Sequence, residues 1–348
     1  MKNNSKLLYL LMAVVLIWLA VISHNISQLS QKSDTEQVIQ QDVNGFSTDF
    51  TRIVEENSSS VPTVLTESAT GTGFVYRQEG DSVYVLSAYH TVADASRISV
   101  LFGTTYRCEA SLVGYDVLSD LAVLQIETPY QIPALKTGDA TLLHRGEYVI
   151  MIGTPQSQDY AGSVRTGMIA SSLLSIDNSI TVEEERHDYW MDVIQISADP
   201  ENGYSGSPVL NMAGEAVGMI TMAPDEKLCF ALSINEIRKA ADQIISNGEA
   251  KHNLPGIREV FVRSLENYEK SNLGLSVDTV SGIYVQRVRE SSPAYEAGIR
   301  SGDVVTAIND IQIDDFDDYL NVIYGDYEDF TFTVLRNAET LVLGTDND

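Results

Sequence analysis

Three short segments carry residues whose types suit nucleophilic catalysis. Gly203-Tyr204-Ser205-Gly206-Ser207-Pro208-Val209 sets a serine among glycines, just ahead of an apolar run. Leu86-Ser87-Ala88-Tyr89-His90-Thr91-Val92 sets a histidine at the end of one, and Asp120-Leu121-Ala122-Val123-Leu124 sets an aspartate at the start of another. A serine hydroxyl is a poor nucleophile near neutral pH, so a base must take its proton as it attacks. His90 can do that and then hand the proton to a leaving group. Asp120, on the other imidazole nitrogen, would fix the tautomer and stabilise the imidazolium. The backbone N–H groups of Gly203 and Ser205 can converge on a developing oxyanion, and one such donor is worth roughly 3–4 kcal/mol. Gly206 permits a tight turn behind the serine, and Pro208 stiffens entry into the next strand. Each segment alone has an ordinary structural reading: a turn, a core histidine, a turn cap. The three together, in a chain with only five histidines, point to one site.

Positioning such residues needs a rigid scaffold. From Val61 to Met222 short runs rich in Val, Ile, Leu, Tyr and Thr are broken by Gly, Asp, Asn and Pro. That pattern predicts many antiparallel strands, as in a β-barrel or sandwich. Ser233–Asn247 switches to helical period: Ser233 and Glu236 form a capping box, and Ile234, Ile237, Ala240, Ala241 and Ile244 share one face. Residues 249–270 read as a linker. A second unit over 271–345 opens with a strand at Leu273-Gly274-Leu275, predicts a helix over 315–324, and ends in strands at 330–335 and 340–343.

The order His, Asp, Ser resembles that of chymotrypsin-type serine proteases. Further segments resemble the HtrA/Deg family over roughly residues 70–345. Gly71-Thr72-Gly73-Phe74-Val75 is similar to its opening strand, Met151-Ile152-Gly153-Thr154-Pro155 to its IGxP turn, and Ser163–Ile169 to its TVTxGIVS hairpin. Phe230-Ala231-Leu232-Ser233-Ile234 is similar to its GFAIPI segment, and Ser292–Val305 to the bacterial PDZ signature SPAxxAGLxxGDVI. Two positions depart: Tyr204 stands where the family has Asn, and Ser207 where it has Gly. Ser-Gly-Ser-Pro resembles the glutamyl endopeptidases instead. The resemblance implies a mainly β chain: a chymotrypsin-like double antiparallel β-barrel over 61–248, then a PDZ domain. It implies proteolysis of misfolded or regulatory proteins, a possible homotrimer, and the anchor–protease–PDZ layout of DegS-type members. A PDZ domain takes C-terminal peptides by strand addition. The expected site is Leu273-Gly274-Leu275 and the strand after it. Acidic Asp314, Asp315, Asp317 and Asp318 at the start of the 315–324 helix are expected to serve its dipole and solvation.

Net charge is -27 over 348 residues. Such a field repels nucleic acid and anionic membrane surfaces, so neither is an expected partner of the folded part. Leu7–Ile22 is uninterruptedly apolar, with Lys2 and Lys6 ahead of it. A bilayer span needs about 20 residues, range about 17–25, so 1–24 reads as a short tip and an N-terminal transmembrane helix, with a cleaved signal peptide as the alternative. Either places the rest outside the cytoplasm. Residues 25–60 read as a flexible polar stalk. Cys108 and Cys229 are expected as separate buried thiols, with no metal site and no cofactor.

Specificity stays open between two readings. Asp199, six residues before Ser205, is where trypsin-like enzymes hold a carboxylate that selects Lys or Arg. Ile220, on the strand after the nucleophile, is expected to line the pocket wall and favours small apolar side chains. Two functions also remain: a membrane-anchored serine endopeptidase, or a non-proteolytic PDZ-dependent binding or chaperone-like protein in which bulky Tyr204 spoils the oxyanion loop.

Overall fold

The computed structural model describes residues 18–24, 49–182, 185–199, 202–221, 228–327 and 329–345. The chain divides into two units, Met1–Arg52 and Ile53–Asp348. In the first, residues 18–24 are helical. Most of the expected membrane span lies outside the described residues, as does most of the expected stalk. Among the described residues no helix is long and apolar enough to cross a membrane. The end of the expected stalk belongs to the second unit, where Ile53 and Ser60 are buried.

The second unit opens with two closed six-stranded barrels. The first contains β1 (Thr63–Leu65), β2 (Thr70–Glu79), β3 (Ser82–Ala88), β4 (Ile98–Phe102), β5 (Tyr106–Asp116) and β6 (Leu121–Glu127), ordered β1-β2-β3-β6-β5-β4. Val64, Val75, Val83, Val85, Val100, Leu124 and Ile126 fill its interior. Val83 and Val85 on β3, and Leu124 and Ile126 on β6, recur at every second position, so a one-residue slip would carry them out of the interior. One helical turn, α1 (Tyr89–Val92), follows β3. The second barrel contains β7 (Tyr148–Gly153), β8 (Ser163–Val182), β9 (Glu185–Ile196), β10 (Pro208–Leu210), β11 (Ala216–Ile220) and β12 (Cys229–Ser233), ordered β10-β11-β12-β9-β8-β7. Closure leaves neither barrel an open edge.

The helix α2 (Ile234–Asn247) closes this part. Ser233 Oγ accepts the Glu236 N–H at 3.2 Å, and Gly248 ends the helix at φ +86°. All five predicted apolar positions are buried. Burial of each large aliphatic side chain stabilises by ~1.5–3 kcal/mol. The Glu236 side chain instead accepts the Tyr324 hydroxyl at 3.2 Å.

The remaining sheet runs β13-β14-β15-β17-β18, with β16 paired to β15. Its strands are β13 (Ile257–Phe261), β14 (Ile283–Val288), β15 (Val304–Ile308), β16 (Ile311–Gln312), β17 (Thr331–Arg336) and β18 (Glu339–Gly344). Short helices α3 (Asn267–Asn272) and α4 (Pro293–Glu296) interrupt it, and α5 (Phe316–Ile323) packs beside β13 through Phe261, Phe316 and Tyr319. The sheet therefore starts at Ile257, inside the expected 249–270 linker. Asp315 caps α5 and Asp318 returns the bond. Asp317 instead accepts from Asn235 of α2 at 2.9 Å, so one of these acids joins the two parts rather than facing water. Gln243 Nε2 donates to the Tyr324 carbonyl at 2.6 Å, and Arg258 donates to the Ser175 carbonyl at 3.0 Å.

Both cysteines are free. Cys229 is buried in β12, and its thiol pKa is pushed up by burial to about 11. Cys108, in β5, is only half-buried, contrary to expectation.

Candidate active site

Strand ends bring His90, Asp120 and Ser205 together. His90 sits on the single turn α1 at the end of β3. Asp120 immediately precedes β6, in the left-handed region at φ +55°. That conformation turns both its main chain and its side chain toward α1: the Tyr89 N–H donates to the Asp120 carbonyl at 2.8 Å, and the His90 N–H to Oδ1 at 2.9 Å. His90 Nδ1 then lies 2.7 Å from Asp120 Oδ2, and Nε2 lies 2.9 Å from Ser205 Oγ. A carboxylate only accepts, so Nδ1 carries the proton and Nε2 is left facing the hydroxyl. The imidazole is 28% exposed and the carboxylate 13%, so the ring is reachable while its partner is shielded.

Ser205 is held by main chain. Its carbonyl accepts the Thr72 N–H at 2.9 Å, and the Gly206 N–H donates to the Ile220 carbonyl at 2.8 Å. Gly206 has φ +83°, and a Cβ there would lie 2.1 Å from the Thr72 carbonyl. No other residue fits. Thr72 also donates its hydroxyl to the Gly203 carbonyl at 2.7 Å. On the other side, the Asn202 carbonyl accepts the Gln156 N–H at 2.9 Å. In a trans peptide the next N–H points opposite its carbonyl, so this bond aims the Gly203 N–H away from Gln156. Among the described residues neither the Gly203 nor the Ser205 N–H has a protein acceptor. Both remain available to an oxyanion.

Tyr204 does not enter this space. It is 5% exposed, with the Arg165 guanidinium 5.1 Å from its ring centre. Its ring and Ser207 Oγ both press on Gly153, where a Cβ would lie 2.7 Å from Tyr204 Cδ1 and 2.3 Å from that hydroxyl. The absent side chain at 153 thus makes room for both departures from the family pattern. Ser207 Oγ is buried with no partner among the described residues. An unmet hydroxyl of this kind costs about 1–3 kcal/mol.

Sequence reasoning passed over Thr221. Its hydroxyl donates to Asp120 Oδ2 at 2.8 Å, so the oxygen that faces His90 has a second donor. It also passed over Thr72 and its two bonds. A lone hydroxyl at a strand end carries no sequence signal of its target.

The predicted pocket residues are not brought into one cavity. Asp199 is exposed, and its carbonyl accepts from Arg165. It lines a cleft of about 660 Å3 with Arg165, Gln195 and Cys229, which includes neither Ile220 nor Ser205. Ile220, 8% exposed, is held in β11 beside the nucleophile turn.

Leu273, Gly274 and Leu275 are not the expected peptide site. They form the end of α3, not a strand. The Leu273 N–H donates to the Glu269 carbonyl at 2.9 Å, that of Gly274 to Ser271 at 3.2 Å, and that of Leu275 to Lys270 at 2.8 Å. These donors are spent on a helix terminus, so they cannot hold a carboxylate. The next strand, β14, is paired on both sides, with β13 and β15. The edge strand beside α5 is β13. Among the described residues no three His, Cys, Asp or Glu side chains are grouped to hold a metal.

Two linked barrels with this site at their junction are the architecture of a trypsin-like peptidase, and the six-stranded sheet with α5 is a PDZ domain. The family described as "Trypsin-like peptidase domain" matches residues 71–219, and "PDZ domain" matches 262–346. The chain is 31% identical over 280 residues to "Serine protease Do-like HtrB" of Bacillus subtilis, covering 78% of this chain and 60% of that relative. It is 29% identical over 294 residues to "Serine protease Do-like HtrA" of the same organism, covering 82% of this chain and 65% of the relative. It thus spans less than two thirds of either. A solved HtrA-type protease, AlgW with tripeptide, superposes with a TM-score of 0.59 at 25% identity, covering 85% of this chain and 95% of that one. The chain thus carries a trypsin-like peptidase domain and one PDZ domain, and these relatives and structural neighbours are HtrA-type serine proteases.

Proposed function

We propose that the chain is a serine endopeptidase in which Ser205 attacks the peptide carbonyl. His90 takes the Ser205 proton as the bond forms and returns it to the leaving amine, with Asp120 stabilising the imidazolium between the two steps. The N–H groups of Gly203 and Ser205 receive the oxyanion. Water then attacks the acyl-enzyme, with His90 as base again. The observation that carries this reading is the unbroken line Ser205 Oγ, His90, Asp120 at 2.9 and 2.7 Å. The inward packing of Tyr204 removes the ground for a non-proteolytic reading. Ser205→Ala is expected to abolish both cleavage of unfolded casein and labelling by a fluorophosphonate probe, with the fold intact by circular dichroism. Cleavage by the alanine variant at the wild-type rate would refute the assignment.

The substrate reading is a misfolded or regulatory polypeptide, with small apolar residues preferred at the cleaved bond over basic ones. Ile220 beside the nucleophile supports it, as does the diversion of Asp199 to the 660 Å3 cleft. The peptide partner of the PDZ domain would add to β13, the edge strand next to α5. The apolar run at 7–22 supports a single-pass membrane anchor, with the peptidase and PDZ domains extracytoplasmic. Assembly as a trimer is carried by the family alone, and sedimentation of residues 49–348 tests it.

A further inference from the structure

The turn that presents Asp120 is built on a second carboxylate that takes no part in the proposed chemistry. Asp116 ends β5, and its side chain is 5% exposed. Its Oδ1 accepts the Leu118 N–H at 3.1 Å, and its Oδ2 accepts the Ser119 hydroxyl. These bonds wind residues 116–120 into the turn that leaves Asp120 at φ +55°, facing His90. The Leu118 carbonyl within that turn accepts the Tyr189 hydroxyl from β9 at 2.7 Å. One further donor arrives from a distant part of the chain. His252, in the segment joining α2 to β13, places Nε2 2.6 Å from Asp116 Oδ2 and is itself 8% exposed. The acceptor is a carboxylate, so Nε2 donates. The imidazole also packs on the ring of Tyr324, centroid to centroid 4.7 Å, and Tyr324 caps the C-terminus of α5. One side chain therefore touches the aspartate turn of the peptidase and the end of the PDZ helix.

We propose that His252 is a positioning residue for catalysis: by donating to Asp116 it sets the turn that delivers Asp120 to His90, and it ties that setting to the place of α5. This rests on the reading of His90, Asp120 and Ser205 as the catalytic triad. Asp116 keeps two local donors without His252, so the turn persists. It loses the bond from His252, the side chain that also packs on the end of α5. Asp120 must meet both the N–H and Nδ1 of His90 at 2.9 and 2.7 Å, so a small rotation of the turn lengthens both. Displacements of this size reduce turnover without weakening substrate binding.

The test uses residues 49–348, with wild type, His252→Ala, His252→Gln and Tyr324→Ala. Three quantities are measured: the rate of fluorophosphonate labelling per folded molecule, kcat, and KM for a peptide substrate. His252→Ala is expected to lower labelling and kcat roughly tenfold or more, with KM within about twofold. Glutamine carries an amide donor at similar reach, so His252→Gln is expected to recover most of the loss. Tyr324→Ala, which removes the ring behind His252, is expected to lower kcat in the same direction. Labelling of the alanine variant at the wild-type rate overturns the proposal. So does equal impairment of the Ala and Gln variants, or a loss explained wholly by the unfolded fraction. A wild-type protein that the probe leaves unlabelled would refute the triad reading itself, and this proposal with it.

Discussion

Thr221 shows how a single hydroxyl can tune the site. It donates to Asp120 Oδ2, the oxygen that also faces His90 Nδ1. Thr221→Val keeps the shape and leaves that carboxylate one donor short. Hydrogen bonds to charged groups are worth about 1.5–3 kcal/mol, so kcat/KM should fall roughly ten- to a hundredfold. Steady-state kinetics on a peptide substrate checks this, and an unchanged kcat would mean the bond is not felt in the reaction. His90, Asp120 and Ser205 were legible in the sequence because nucleophilic chemistry demands those types in apolar, strand-like settings. Thr221 and Thr72 were not. Hydroxyls serve many purposes, and their targets lie 101 and 131 positions away.

Among the elements, the strands of both barrels and the helix α2 followed from periodicity and capping, since burial imposes one spacing on a strand and another on a helix. The strand β13 did not. Two of its five residues, Arg258 and Glu259, are charged, and both are used against the β8–β9 hairpin. Solvation is the ordinary fate of such residues, so the pattern read as linker. The segment Leu273–Leu275 erred in the opposite sense, because a Gly between leucines suits a helix terminus as well as a peptide loop. Gly274 has φ +74° with open space around it. Gly274→Ala should therefore cost about 1 kcal/mol in unfolding free energy through backbone strain alone. It should leave the affinity for a C-terminal peptide unchanged. Chemical denaturation and fluorescence anisotropy measure the two, and a large loss of peptide binding would restore this loop as the site.

For the molecule as a whole, the net charge of -27 sets up a field that repels other anions. Part of the acid content lies where the peptidase and PDZ domains meet. Burial raises the pKa of Glu259 and of Asp192, which hydrogen-bond to each other, and burial also holds Glu236 well above the usual carboxylate range. Asp192 and Glu259 border a small cavity of about 140 Å3 between β9, β13 and α5. A carboxyl whose pKa is higher when docked binds its proton more tightly in the docked form. Docking is then strongest below the ordinary carboxylate pKa, and it weakens as pH rises through the raised values. Limited proteolysis of the 249–256 segment should accelerate as pH rises across that window. Glu259→Gln keeps a neutral partner for Asp192 and should flatten the dependence. A cleavage rate in the wild type that does not vary with pH, once corrected for the protease used, would exclude this linkage.

The bond from the Gln156 N–H to the Asn202 carbonyl joins main chain to main chain. No exchange of side chains removes either atom, except proline at 156, and proline cannot adopt the φ of +60° found there. Alanine scanning across this loop would pass over it. Over evolutionary time the exposed side chain at 202 is free to drift while the peptide ahead of Gly203 keeps its direction. Gly203 is not: a Cβ there would lie 2.2 Å from the Thr154 carbonyl. Among diverging descendants of this chain, one fixed glycine after a variable residue would be the trace of that latch.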